Sequence, residues 1–180
     1  MDGDAAAWQD ALEQMRREKD EAFRHDPGSP IPPWERASFR GLSYYPPDPR
    51  YRLVVPLVEE PRRTLDIQRS GGDVVRYTRL GHFVLKLPAG EAKLALYESD
   101  GHAFLPFRDA TSGKETYGAG RYLEPEPQPD GRFEVDLNRA YSPFCAYNEA
   151  YSCPFPPPEN WLKVPVLAGE RTHEGSGHEG

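Results

Sequence analysis

His82-Phe83-Val84-Leu85-Lys86-Leu87, then Pro88-Ala89-Gly90-Glu91, then Ala92-Lys93-Leu94-Ala95-Leu96-Tyr97-Glu98 is the stretch that decides the fold. Phe83, Leu85 and Leu87 alternate with His82, Val84 and Lys86, the period of a half-buried strand. Leu94, Leu96 and Glu98 repeat the scheme after a glycine-bearing turn, so the two runs read as a β-hairpin. The same pattern recurs on either side. Strands are expected at 51–58, 64–69, 74–80, 82–87, 93–98, 102–107, 121–124 and 132–137, with further turns at Ser70-Gly71-Gly72-Asp73 and Ser99-Asp100-Gly101. No segment of helical length separates them, which excludes a doubly wound parallel sheet. The expected fold is mainly β, an antiparallel meander closing into a barrel or rolled sheet, with an N-terminal helix and proline-rich arms.

The flanks read differently. Trp8, Leu12, Met15, Lys19 and Phe23 recur at helical spacing, so residues 4–25 are expected to form a helix with one face packed on the sheet. Lys19 interrupts that face, but its stem can lie along an apolar surface. Pro27, Gly28 and Pro30 end the helix. Residues 27–50 carry five further prolines among Trp34, Phe39, Tyr44 and Tyr45, the composition of an extended arm laid over a core. Pro30-Ile31-Pro32-Pro33 also matches a PxxP ligand loosely. A last strand is expected at 162–167. The organisation is one domain overall: helix 1–26, arm 27–50, β domain 51–167 including an irregular segment at 138–161, and a glycine-rich tail at 168–180 expected to fray.

Composition narrows function. The 180 residues include 20 prolines, 16 glycines and 21 aromatics, too aromatic for a disordered chain and too rich in proline for a helical bundle. The charge balance, 22 basic against 29 acidic residues, disfavours a nucleic-acid binder or docking to an anionic membrane. The basic stripe Arg62, Arg63, Arg69, Arg76 and Arg79 reads as solvated strand residues. There is no apolar run of membrane-spanning length and no apolar signal core near the N-terminus, so a cytoplasmic location is expected. Cys145 and Cys153 are expected as reduced thiols, the alternative being a redox pair or a reactive thiol. Two cysteines without nearby histidines make no zinc site.

Phosphate-loop and dinucleotide fingerprints both fail. Glu115 stands where the first needs Ser or Thr, and Leu123 where the second needs Gly. Two polar densities remain. The loop from Arg108 to Arg121 holds Asp109, Lys114, Thr116 and Tyr117, and two arginines with hydroxyls suit a phosphate or carboxylate. The segment from Asp136 to Asn160 holds Asn138, Tyr141, Cys145, Tyr147, Glu159 and Asn160 between prolines. Its amides would serve either to satisfy irregular main chain or to line a pocket wall.

These densities carry a resemblance. Phe107-Arg108-Asp109-Ala110-Thr111-Ser112-Gly113-Lys114-Glu115-Thr116-Tyr117-Gly118-Ala119-Gly120-Arg121-Tyr122-Leu123 is one signature. Asp136-Leu137-Asn138-Arg139-Ala140-Tyr141-Ser142-Pro143-Phe144-Cys145-Ala146-Tyr147-Asn148, followed by Cys153-Pro154 and Pro157-Pro158-Glu159-Asn160, is the other. Together they resemble the prokaryotic domain of unknown function 1684 family over roughly residues 8–170. Leu137 and Ser142-Pro143-Phe144 depart from its usual pattern. The resemblance implies no activity. It directs attention to Arg108, Asp109, Thr116, Tyr117, Arg121, Asn138, Tyr141, Tyr147, Glu159 and Asn160.

The leading expectation is a pocket for a small anionic or aromatic molecule between the 108–121 loop and the 138–160 segment. Arg108, Lys114 and Arg121 would hold the anion, with Tyr117, Tyr141 and Tyr147 as the ring-lined wall. One alternative is an enzyme, hydrolase-like or a flavin-dependent split barrel, using Arg121, Tyr117 and Glu159, or Cys145 as nucleophile. The other is a structural or interaction module whose polar residues satisfy one another.

Overall fold

The computed structural model describes residues 2–172. It begins with a helix, α1 (Asp2–His25), followed by the arm with 3-10 turns at Pro33–Ser38 and Pro49–Tyr51. Eight strands come next: β1 (Arg52–Val55), β2 (Val58–Gln68), β3 (Val74–Leu87), β4 (Gly90–Ser99), β5 (His102–Phe107), β6 (Arg121–Leu123), β7 (Glu126–Pro127) and β8 (Phe133–Asp136). Strands β2 to β6 pair antiparallel in sequence order, as a meander should, while β1, β8 and β7 make a second antiparallel sheet.

Among the described residues the two sheets do not join into a closed barrel. At β6 the reason is local. Its outer edge is taken by irregular chain, Tyr122 N–H donating to Tyr141 O at 2.8 Å and Tyr141 N–H returning to Tyr122 O at 3.0 Å. The two sheets instead share a core, with Phe83, Leu85, Leu94, Leu96, Leu105, Phe107, Val135 and Leu137 fully buried. The inward set Phe83, Leu85, Leu87, Leu94 and Leu96 is the one that the alternation predicts.

Several strand boundaries differ from expectation. Residues 74–80 and 82–87 form one continuous β3, in which the pairing with β4 shifts between Arg79 and Gly81. A Cβ at Gly81 would stand 2.2 Å from Val58 O, and its φ of 154° favours glycine, so the glycine keeps the strand whole where the sequence reading expects a break. The strand expected at 64–69 starts earlier, at Val58, and runs through Pro61 by a register shift between Glu59 and Arg63. It lies at the sheet edge, where a missing N–H costs little. The strand expected at 162–167 does not form. Only Leu162 N–H and Val164 O reach the neighbouring chain, at Arg108 and Ala110; Pro165 has no N–H, and Val166 N–H is held by the Asp109 carboxylate at 2.7 Å.

The flanking arms are packed. Trp8, Leu12 and Phe23 of α1 are buried, and Phe23, Ile31, Phe39, Ala146 and Tyr147 make a cluster joining the helix, the first arm and the irregular segment. Pro30, Ile31 and Pro32 are buried too, which removes the PxxP reading. The start of the expected tail is anchored. Gly169 O accepts from Tyr45 N–H at 2.9 Å, Arg171 N–H donates to Ser43 O at 2.8 Å, and Glu170 is buried. The rest of that tail, 173–180, lies outside the described residues. No helix among the described residues is long and apolar enough to cross a membrane.

Candidate functional site

Arg121 opens β6 and points its guanidinium into the interior, fully buried. Nη1 donates to the carbonyls of Ala168 and Glu170, and Nη2 donates to Val166 O at 3.1 Å and to Asp109 Oδ1 at 3.4 Å. The cation lies 5.2 Å over the Phe107 ring. Burial pushes the guanidinium pKa down, and the Asp109 carboxylate beside it pushes back. Asp109 also accepts from Val166 N–H and the Thr111 hydroxyl, which meets the Thr116 hydroxyl at 2.9 Å. The 109–121 loop therefore closes on itself and clamps the chain at 166–170.

Asn138 and Asn160 repeat one device in two places. The Asn138 carboxamide accepts from Asp48 N–H and donates to Asp48 O, both at 2.9 Å. The Asn160 carboxamide accepts from Ala95 N–H at 2.8 Å and donates to Ala95 O at 3.0 Å, with a further bond to Pro106 O at 2.8 Å. Each amide stands in for a peptide unit of a missing strand. Ala95 needs one because β4 pairs with β5 only from Tyr97 onward, leaving its edge open there.

Glu170 is a third centre, one the sequence reading missed. Its buried carboxylate receives Lys19 Nζ, the Tyr147 hydroxyl and, at 3.4 Å, Ser142 N–H. Lys19 also lies 5.0 Å over the Tyr141 ring, which explains the cation in the apolar stripe of α1. Tyr141 donates to Glu124. Arg108 lies 5.0 Å over the Trp161 ring, and Lys114 is exposed at the loop tip.

Glu159 faces solvent. It accepts from Arg79 Nε at 2.6 Å and the Tyr97 hydroxyl at 2.8 Å, with Arg63 at 3.8 Å. Arg79 also pairs with Glu60. Arg79, His82, Lys93, Ala95 and Glu159 line a pocket of about 180 Å³. The His82 Nδ1 atom is buried without a hydrogen-bond partner, 3.4 Å from Glu60. The basic stripe and the outward face of β3 were the sequence signals for this site, but neither shows that Glu159 folds back onto them. A larger groove of about 660 Å³ lies between the sheets, but Glu59, Glu60 and Glu98 line it against Arg62 alone.

Cys145 and Cys153 are free thiols, the first buried and the second half-buried. The Tyr117 hydroxyl lies 3.7 Å from Cys145 Sγ, a contact that joins the two signatures. Among the described residues no cluster of three His, Cys, Asp or Glu side chains is arranged to hold a metal. The candidate residues thus fall into separate groups: Asp109, Thr116 and Arg121; Asn138; Asn160; Tyr141 and Tyr147 near Lys19; Glu159; and Tyr117 with Cys145.

The model of the family described as "Protein of unknown function (DUF1684)" matches residues 37–171. The chain belongs to the DUF1684 family. That match takes in both signatures and every strand, and leaves α1 outside. The solution NMR structure of an uncharacterised protein of Haloarcula marismortui is similar at 41% identity and a TM-score of 0.71, covering 96% of this chain and 98% of that one. That coverage leaves too few residues aside to omit α1, so the helix belongs to the shared architecture. No curated protein matches the chain.

Proposed function

We propose that the two signatures brace the loops over the sheet, and that this DUF1684 member is a binding module for a small anion held in the Arg79–Glu159 pocket. One observation carries the reading. Arg79, His82 and Lys93 line one solvent-reachable pocket, while Arg121, Asn138 and Asn160 are buried and engaged with main chain. Asn160 fixes the turn that presents Glu159, and Glu159 in turn orients Arg79. At about 180 Å³ the pocket suits a phosphate or a short carboxylate. It is smaller than the roughly 300–1,000 Å³ of drug-sized ligand sites, which argues against a flavin there. The enzyme reading retains the Tyr117–Cys145 contact, but Arg121 and Glu159 belong to other groups.

Calorimetric titration with inorganic phosphate and with acetate tests the proposal. The Lys93→Ala variant should keep its unfolding midpoint and lose at least about tenfold in anion affinity, the scale of one lost charge-assisted hydrogen bond. Arg121→Ala should lose about 3–5 kcal/mol of stability, because Asp109 is left buried without its partner. If neither anion binds, or if Arg121→Ala keeps its stability while abolishing binding, the proposal fails.

A further inference from the structure

The lining of the Arg79–Glu159 pocket carries charge of both signs. Arg79 Nε donates to Glu159 Oε1 at 2.6 Å, and Nη1 pairs with Glu60, so two carboxylates already face this one guanidinium. Its Nη2 donates to no group among the described residues. Lys93 is exposed, and among the described residues its Nζ makes no hydrogen bond or ion pair. The two oxygens of Glu159 differ. Oε1 receives both Arg79 and the Tyr97 hydroxyl, the latter at 2.8 Å. Oε2 has Arg63 at 3.8 Å, beyond hydrogen-bond reach.

The backbone holds these groups around one space. Lys93, Ala95 and Tyr97 share a face of β4, successive members about 7 Å apart. His82 stands opposite Ala95 on β3, its Nδ1 buried and without a hydrogen-bond partner. Ala95 contributes only a methyl group, which leaves the space between its neighbours unfilled. Asn160, the residue after Glu159, holds the Ala95 main chain through both its N–H and its carbonyl. One uncommitted donor, Lys93, and one uncommitted acceptor, Glu159, thus line the same pocket of about 180 Å³. Setting His82 aside, two cations, Arg79 and Lys93, face two carboxylates, Glu159 and Glu60. A simple anion would set its charge against those carboxylates. A ligand of both signs gives each free group a partner.

We propose that the ligand of this pocket is a small zwitterionic amino acid, its carboxylate held by Lys93 with Arg79 and its ammonium by Glu159. This ligand class presupposes the anion site proposed above, and narrows it from any short carboxylate to one that carries an ammonium group. Inorganic phosphate, with no cationic group to offer Glu159, is then the weaker ligand.

Calorimetric titration of the full-length protein with two matched pairs, glycine against acetate and β-alanine against propionate, tests the class. In at least one pair the zwitterion should bind about tenfold more tightly than its parent acid, the scale of one charge-assisted hydrogen bond. Glu159→Gln keeps an acceptor for Arg79 and Tyr97 but removes the charge. It should erase the preference and leave acetate affinity unchanged or raised. Lys93→Ala should weaken zwitterion and parent acid alike. Binding of acetate, propionate or phosphate with no preference for the zwitterion would overturn the ligand class and leave the anion site standing. No binding by any of the five would overturn both. A preference that survives in a folded Glu159→Gln protein would also overturn the class, because the ammonium would then sit elsewhere. The wild-type ratio decides the matter even if Glu159→Gln fails to fold.

Discussion

At the scale of single residues, the molecule spends most of its unusual side chains on its own main chain. Arg121 and Asp109 form a buried pair that also receives the chain at 166–170, and Asn138 and Asn160 replace absent peptide partners. The thiol pair is different, because its protonation differs between folded and unfolded chains. Cys145 is lowered from 9.0 to about 6, so the folded state favours its thiolate. That contribution is present above pH 9, shrinks as the pH falls, and is lost through pH 6. Cys153 is raised above 9.0, so its contribution is present below pH 9 and declines as the unfolded chain ionises above it. Unfolding midpoints in reducing buffer should therefore show wild type gaining on Cys145→Ala between pH 6 and 9 and losing ground above it; a flat difference would refute the shift. The residue types in both signatures were legible in the sequence, and so was the choice between bracing and binding. Which residue did which was not, because a buried Arg and a ligand-holding Arg are the same letter until their acceptors are known.

At the scale of elements, alternation in 82–98 identified the central hairpin and its inward face. The two misreadings have opposite causes. Gly81 looked like a break because a glycine in a strand pattern usually marks a bulge or a turn. Here it is a bulge inside a continuous strand, where the backbone of Val58 comes close. Gly81→Ala should cost on the order of 2–3 kcal/mol through overpacking and backbone strain. Denaturant unfolding would measure it, and an unchanged midpoint would mean that β2 moves away freely. The expected strand at 162–167 failed for the opposite reason. Its apolar alternation was sound, but Asp109 and Pro165 remove the N–H groups that a ladder needs.

At the scale of the whole molecule, α1 and the two arms act as straps across the two sheets. Trp8 Nε1 donates to Asp136 at 2.7 Å, Arg16 donates to Tyr45 O at 2.9 Å and Asn138 O at 3.3 Å, and Lys19 neutralises Glu170. Deleting residues 2–25 should remove the burial of Trp8, Leu12 and Phe23, about 1.5–3 kcal/mol each, and also leave Glu170 without its cation. The shortened chain should unfold at a much lower denaturant concentration, and a midpoint within error of the full chain would show that the helix is an ornament.

By itself the sequence determined the class of fold, the antiparallel order of the meander, the helix and its buried face, and the family, because periodicity, turn residues and long ordered signatures are local properties of the chain. Only the tertiary structure decided that the sheets stay open, that Glu170 is a hub rather than part of a loose tail, that Glu159 meets Arg79, and that Tyr117 meets Cys145. Each of those pairs a group with a partner far along the chain or across a reversal, and the free energy of a buried charge or thiol is set by that partner.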